Sequence, residues 1–104
     1  MIIEERIYRI QAGRLPEYLA KYQEMGLELQ KRVLGNLIGY FTTDIGALST
    51  LVHLWGYESL DDRAARRAAL ANESAWQDYL RVCTPLIVDM ENRILLPTAF
   101  SPIR

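Results

Sequence analysis

The chain contains one cysteine, Cys83, and one histidine, His53, among 104 residues. A lone cysteine has no intramolecular disulfide partner, and a lone imidazole leaves no second histidine for a metal centre or a catalytic pair. A surplus of either charge is missing too: twelve Lys+Arg face thirteen Asp+Glu, a formal charge of -1. No net field therefore draws the chain to nucleic acid or to an anionic membrane. No apolar run approaches the roughly 20 residues that span a bilayer. The start, Met1-Ile2-Ile3-Glu4-Glu5-Arg6, turns charged too early for the apolar core of a signal peptide. These absences predict a soluble, cytoplasmic protein with no nucleic-acid partner, no membrane insertion, no metal and no cofactor. What is present is average for a globular protein, 50% hydrophobic and 24% charged, which excludes disordered and fibrous classes. One domain over residues 1–104 is expected. At this length it buries roughly 65% of its unfolded surface and has little stability to spare, so a partner chain would help.

Periodicity supplies the elements. Ile2, Ile3, Ile7, Tyr8 and Ile10 mark a strand over 2–10, closed by the turn signal Ala12-Gly13. From Arg14 to Leu34 the apolar positions Leu15, Tyr18, Leu19, Tyr22, Met25, Leu29 and Val33 recur at spacings of three and four, predicting one long amphipathic helix with Gly26 as its weak point. Two apolar stretches, 37–43 and 50–57, read as a hairpin. Ser59-Leu60-Asp61-Asp62 resembles a capping box for a helix to about Ala71, with Leu60, Ala64, Ala68 and Ala71 as its buried stripe. Asn72 is expected as a left-handed C-cap and Ser74 as a new N-cap, opening a short helix with Trp76, Tyr79, Leu80 and Cys83 inward. Residues 86–96 form the last strand.

The order β-α-β-β-α-β within about 100 residues predicts an α+β, ferredoxin-like fold: a four-stranded antiparallel sheet with helices on one face. Along the third strand Leu51, His53, Trp55 and Tyr57 alternate with Val52, Leu54 and Gly56. The smaller aliphatic set suits packing under helices, which puts the large aromatic set on the opposite side with Glu4, Arg6, Tyr8 and Ile10 of the first strand. Soluble monomers seldom expose so large a patch, so the pattern predicts a homodimer joined through this face. The cleft between the two sheets would then be aromatic with a few polar groups, as small-molecule pockets are.

That face holds the candidate site. His53 is the side chain best suited to proton transfer near neutral pH. Arg6 can grip a carboxylate or a planar polar group, and Tyr8, Trp55 and Tyr57 offer an aromatic wall. The plainer reading is that Glu4 and Arg6 pair within an interface whose core is aromatic. Glu91 and Arg93 extend the polar lining only if the last strand turns them to the same face, which alternation leaves open. Ser49 and Ser59 lack a nucleophile-elbow context, and Cys83 falls on an apolar stripe where burial silences a thiol. Arg63, Arg66 and Arg67 read as a solvated helix face, with Asp62 and Arg66 paired at i,i+4.

Across almost the whole chain the segments Glu4-Glu5-Arg6-Ile7-Tyr8, Tyr18…Tyr22…Gly26-Leu27, Leu37-Ile38-Gly39-Tyr40-Phe41, Val52-His53-Leu54-Trp55-Gly56-Tyr57, Arg63…Arg66-Arg67…Leu70, Trp76 and Glu91-Asn92 together resemble the NIPSNAP family. The most specific piece is His53-x-Trp55-x-Tyr57 after a Gly39-Tyr40-aromatic strand. One departure is Glu73-Ser74-Ala75-Trp76, where family members often carry Asp-Pro before the tryptophan. The resemblance implies a dimeric α+β barrel, a superfamily of small monooxygenases, haem-degrading enzymes, isomerases and non-enzymatic ligand-binding or adaptor proteins, and it implies no particular reaction. The expected function is a homodimer of uncharacterised activity that holds a small, partly apolar ligand, with Glu4, Arg6, Tyr8, His53, Trp55 and Tyr57 as the pocket. The alternatives are a cofactor-independent monooxygenase- or isomerase-like enzyme with His53 as acid/base, and a protein-interaction adaptor.

Overall fold

Alternation and helical periodicity resolve into eight main elements in the computed structural model, which describes residues 1–104. They are β1 (Ile2–Ile10), α1 (Leu15–Met25), α2 (Leu27–Leu34), β2 (Asn36–Thr42), β3 (Thr50–Tyr57), α3 (Leu60–Ala71), α4 (Ser74–Cys83) and β4 (Ile87–Leu95), with a 3-10 turn at Thr84–Leu86. All pairings are antiparallel, and the strand order is β2-β3-β1-β4. This is the α+β, ferredoxin-like arrangement, a single sheet with its helices on one side. No helix is long and apolar enough to cross a membrane.

The helix expected over Arg14–Leu34 is two. Pro16 sits in the first turn of α1, where its missing N–H has no helical partner to lose. At Gly26 the backbone bends to φ -115°, ψ -36°, and α2 begins at Leu27. A Cβ at Gly26 would lie 3.1 Å from the Tyr22 ring and 3.2 Å from the Tyr79 ring, so the bare backbone lets the two aromatic side chains close over the joint. The bend also turns Gln30 and Leu34 inward.

At the start of α3 the Asp62 N–H donates to Ser59 Oγ (3.1 Å) while Asp62 Oδ2 accepts from the Glu58 N–H (3.0 Å), a reciprocal cap of the kind the sequence suggested. Its end differs. Asn72 stays right-handed at φ -84°, ψ -8°, and Glu73 rather than Ser74 stands at the N-cap of α4. Asn72 N–H is already shared between the carbonyls of Ala68 and Ala69, so the corner needs no left-handed residue.

The largest correction concerns the sheet's two faces. Of the two alternating sets of β3, Leu51, His53, Trp55 and Tyr57 are all buried, whereas of Val52, Leu54 and Gly56 on the other side only the glycine is buried and the other two are half-buried. The aromatic set therefore lies under the helices of its own chain, and the aliphatic set looks outward. Volume explains the choice: the large rings of β3 fill the space beneath helices whose inward positions are Tyr18, Tyr22, Leu34, Leu70 and Tyr79. Leu60 is 59% exposed, and Leu70 is the one fully buried residue of α3, so the expected alanine stripe does not face the core.

Register completes the assignment. Glu4 pairs with Trp55, Arg6 with His53 and Tyr8 with Leu51 on the inner face. Ile3, Glu5, Ile7 and Arg9 form the outer face with Val52, Leu54 and Phe41. Glu91 lies opposite Ile7 and Arg93 opposite Glu5, so both belong to the outer face. There Arg93 Nε meets Glu5 Oε1 at 2.6 Å.

Candidate functional site

The inner face of β1 carries charge where a core is usually apolar, so its pairing decides what the site can do. Glu4 is fully buried, at 0% exposure, and a buried carboxylate survives only when it is matched. Its Oε2 accepts from Arg63 Nη2 at 2.6 Å, Asn92 Nδ2 at 2.8 Å and Arg6 Nη1 at 3.1 Å. Burial alone would raise the Glu4 pKa. The hydrogen bonds from Arg63 and Asn92 and the charges of Arg6 and Arg63 outweigh it and hold the carboxyl down to about 2.

Arg6 is consumed by its neighbours. Its Nε donates to Tyr8 Oη at 2.8 Å, its Nη1 to Glu4 at 3.1 Å, and its guanidinium lies 5.5 Å from the centre of the Tyr8 ring. Its carboxylate partner is thus an internal one, with the pair lying beneath the chain's own helices rather than in the interface where the plainer sequence reading put it.

His53 is 1% exposed. Trp55 Nε1 donates to its Nδ1 at 2.7 Å, so the proton of the neutral ring sits on Nε2. The Tyr40 ring stacks on the imidazole at 4.6 Å, and the Tyr8 ring meets it edge-on at 4.9 Å. Burial, reinforced by the charge of Arg6 and to a smaller degree Arg67, pulls the His53 pKa down to about 3, against the opposing pull of Glu4. The ring stays neutral throughout the physiological range. A base this weak is poorly matched to proton abstraction near neutral pH, but its Nε2–H is a fixed hydrogen-bond donor, and that buried atom has no partner.

A cavity of about 320 Å³ opens between this face and the helices. Of the six residues the sequence singled out, Arg6, Tyr8 and His53 line it, Glu4 and Trp55 bond to Arg6 and His53 from behind that wall, and Tyr57, which does not line it, packs with Leu34 and Leu70. Sequence reasoning missed most of the remaining wall. Tyr18, Tyr22, Tyr40 and Tyr79 join Tyr8, so five of the six tyrosines border the space. The available signal was the hydroxyl: a phenol on an inward helical face needs a polar partner there. Tyr79 donates to Tyr18 Oη at 2.9 Å, and Tyr22 donates to Gln30 Oε1 at 2.6 Å. Burial raises the pKa of Tyr18, Tyr22, Tyr40 and Tyr79, so these walls remain uncharged.

The arginines of α3 are not a simple solvated face. Arg63 reaches Glu4, Arg66 binds Asp62 Oδ1 at 2.9 Å and the Val33 carbonyl at 3.2 Å, and Arg67 lines the cavity. Arg63, Arg67 and Leu70 fall at spacings of four and three, the inward stripe of this helix. Cys83 also borders the cavity, and burial pushes its thiol pKa up, which keeps the sulfur protonated and inert. Ser59 is committed to capping α3. No group of three His, Cys, Asp or Glu side chains comes together to hold a metal ion.

Comparison with known proteins agrees with this architecture. The NIPSNAP family model matches residues 3–102. A NIPSNAP family protein from Agrobacterium tumefaciens superposes with a TM-score of 0.97 at 57% identity, covering 99% of this chain and 98% of that one. An uncharacterised NIPSNAP-like domain protein from Burkholderia xenovorans gives 0.93 at 52% identity, covering 97% and 88%. Protein NipSnap of Drosophila melanogaster is 34% identical over 101 residues, which are 97% of this chain and 36% of that protein, so the chain spans about a third of the length of such curated relatives. A putative antibiotic biosynthesis monooxygenase from Nitrosomonas europaea shares the fold alone, with a TM-score of 0.69 at 10% identity over 93% of this chain and 98% of that one. The chain belongs to the NIPSNAP family.

Proposed function

We propose that this domain is a small-molecule-binding module that holds a partly apolar ligand in the cavity between its sheet and its helices, and that it works as a homodimer. The observation that carries the reading is the cavity itself: about 320 Å³ walled by five tyrosine rings with the unpaired His53 Nε2–H at its edge. That size and mixture of apolar walls with few polar groups are those of small-ligand sites. The pocket is complete within one chain, so the dimer is needed for another reason. The outer sheet face presents Ile7, Val52, Leu54 and Phe41, the last 55% exposed, beside Glu5, Arg9 and Arg93. An apolar centre flanked by both charge signs is self-complementary under a two-fold axis.

No reaction is assigned. With Nδ1 accepting from the Trp55 indole and burial favouring the neutral ring, His53 is set up as a hydrogen-bond donor rather than as a base.

An NMR titration with a library of aromatic fragments tests the pocket. Shifts concentrated at Tyr18, His53 and Tyr79 are expected. Shifts confined to the outer sheet face, or none across the library, contradict the reading. Sedimentation equilibrium tests the assembly: a dimer at micromolar concentration that Leu54→Lys converts to a monomer is expected, and a monomeric parent protein contradicts it.

A further inference from the structure

The polar inventory of the cavity is lopsided. Two arginines, Arg6 and Arg67, line it together with the neutral His53, and no aspartate or glutamate does. Glu4 offsets Arg6 from behind the wall. On the same helix, Arg63 is paired with Glu4 and Arg66 with Asp62, but Arg67 makes no salt bridge and no hydrogen bond to the protein. Its side chain nevertheless borders the same cavity as His53. An unmatched cation at the edge of a low-dielectric space attracts an anion and repels a second cation.

Of the four buried polar atoms without a partner, Glu4 Oε1, Tyr57 Oη, Arg63 Nε and His53 Nε2, only the last belongs to a residue that lines the cavity. With Nδ1 occupied by the Trp55 indole, the ring can donate from Nε2 and has nothing left with which to accept. A buried donor without an acceptor is costly, and an oxygen of a ligand would relieve that cost. Tyrosine rings grouped in this way could also cage a quaternary ammonium ion. The two arginines and the lack of any carboxylate on the wall argue against it.

Resting on the reading of the cavity as a ligand pocket, we propose that its ligand is a small organic anion with a flat apolar body, a carboxylate or enolate-type acid. Its flat body packs against the Tyr18 and Tyr79 rings, one anionic oxygen accepts from His53 Nε2–H, and Arg67 supplies the counter-charge. His53 here is a donor to an oxyanion. Arg67 is the residue that sets the preference for charge.

The test uses three probes with one body: 2-naphthoate, 2-naphthamide and 2-naphthylmethylamine, each titrated calorimetrically into the full chain. Naphthoate is expected to bind about tenfold or more tightly than the amide, as a charge-assisted contact is stronger than a neutral one, and the amine is expected not to bind. Arg67→Gln should remove the preference by weakening naphthoate while leaving the amide unchanged. In nitrogen-15 spectra naphthoate should move the His53 Nε2–H signal and leave Nδ1 unprotonated. Equal binding of acid and amide, or tighter binding of the amine, overturns the anion assignment while the pocket reading stands. Retention of the acid preference in Arg67→Gln overturns the role of Arg67. Binding of none of the three, together with no response in the fragment titration, overturns both.

Discussion

At one end of the inner sheet face Leu34, Trp55, Tyr57 and Leu70 form a cluster in which the indole is completely buried. At the other end Ile10, Tyr18, Tyr22, Leu51, Tyr79, Cys83 and Leu86 pack together, yet four of these seven, Tyr18, Tyr22, Tyr79 and Cys83, also border a cavity, against Leu70 alone from the first cluster. Both ends are aromatic, and apart from Tyr57 Oη, which is buried without a partner, the difference lies in how their polar tips are satisfied. The indole N–H of Trp55 has an acceptor on its own strand, His53, so the ring lies along the sheet and helices close over it. The phenols of Tyr18, Tyr22 and Tyr79 find partners across the helical layer, on α4, α2 and α1. Rings tied tip to tip are held apart and leave room between them. Between the two ends Glu4, Arg6 and Arg63 form a buried ion cluster that joins the sheet to α3.

If this division holds, damage at the packed end lowers stability and damage at the open end lowers binding. Glu4→Ala should have the largest effect, because it leaves Arg6 and Arg63 without their buried counter-charge: about 3–5 kcal/mol, read from urea unfolding. Trp55→Ala should cost a similar amount, about 3–5 kcal/mol. If Glu4→Ala is nearly neutral, the ion cluster does not join the layers and the comparison breaks.

Acid comes next. In the unfolded chain His53 titrates near 6.5, while in the fold it is pulled to about 3. As pH falls below 6.5 the unfolded state takes up that proton first, so stability drops until the folded ring protonates. Glu4 works in the same direction at lower pH: its contribution is fully present above the ordinary value of 4.5 and is lost as pH falls toward 2. Unfolding free energies measured from pH 8 to 3 should therefore decline monotonically, by on the order of a few kcal/mol. His53→Gln should flatten the upper part of that curve, and an unchanged slope between pH 6.5 and 4.5 contradicts a buried neutral imidazole.

Smaller effects sharpen the contrast. Tyr79→Phe removes the bond to Tyr18 and should cost about 1 kcal/mol, with the cavity retained in a crystal structure of the variant. Arg67→Gln should change stability by no more than about 0.5 kcal/mol, as at ordinary surface positions, although it lines the pocket. A loss of several kcal/mol would make Arg67 structural and move it to the other side of the comparison.

Much of this arrangement is legible in the sequence. β1 and β3 coincide with the runs 2–10 and 50–57, and ferredoxin-like order makes them neighbours, so alternation alone gathers Glu4, Arg6, Tyr8, His53, Trp55 and Tyr57 onto one face. Which way that face looks is not legible. Alternation separates two faces without saying which one the helices cover, and the bulk of Trp55 points as readily to a partner chain as to the chain's own helices. Glu4 carries the missing information, because the shortest of its three hydrogen bonds comes from Arg63 of α3, across the layer. The alanines of α3 mislead for a related reason: small apolar residues at helical spacing look like core, although here they lie toward solvent. The bend at Gly26 shows in the sequence only as a weak point, since its cause is the approach of Tyr79, 53 positions along the chain. Arg67 is distinguished from Arg66 only by the neighbours that the fold gives each of them.

A crystal structure of the protein with 2-naphthoate tests the central claim most directly. The account predicts one molecule per chain, lying between the sheet and α3 and α4, with its carboxylate toward His53 and Arg67. A molecule lodged between the outer sheet faces of two chains, or a cavity closed by its own tyrosines with the ligand excluded, would contradict it.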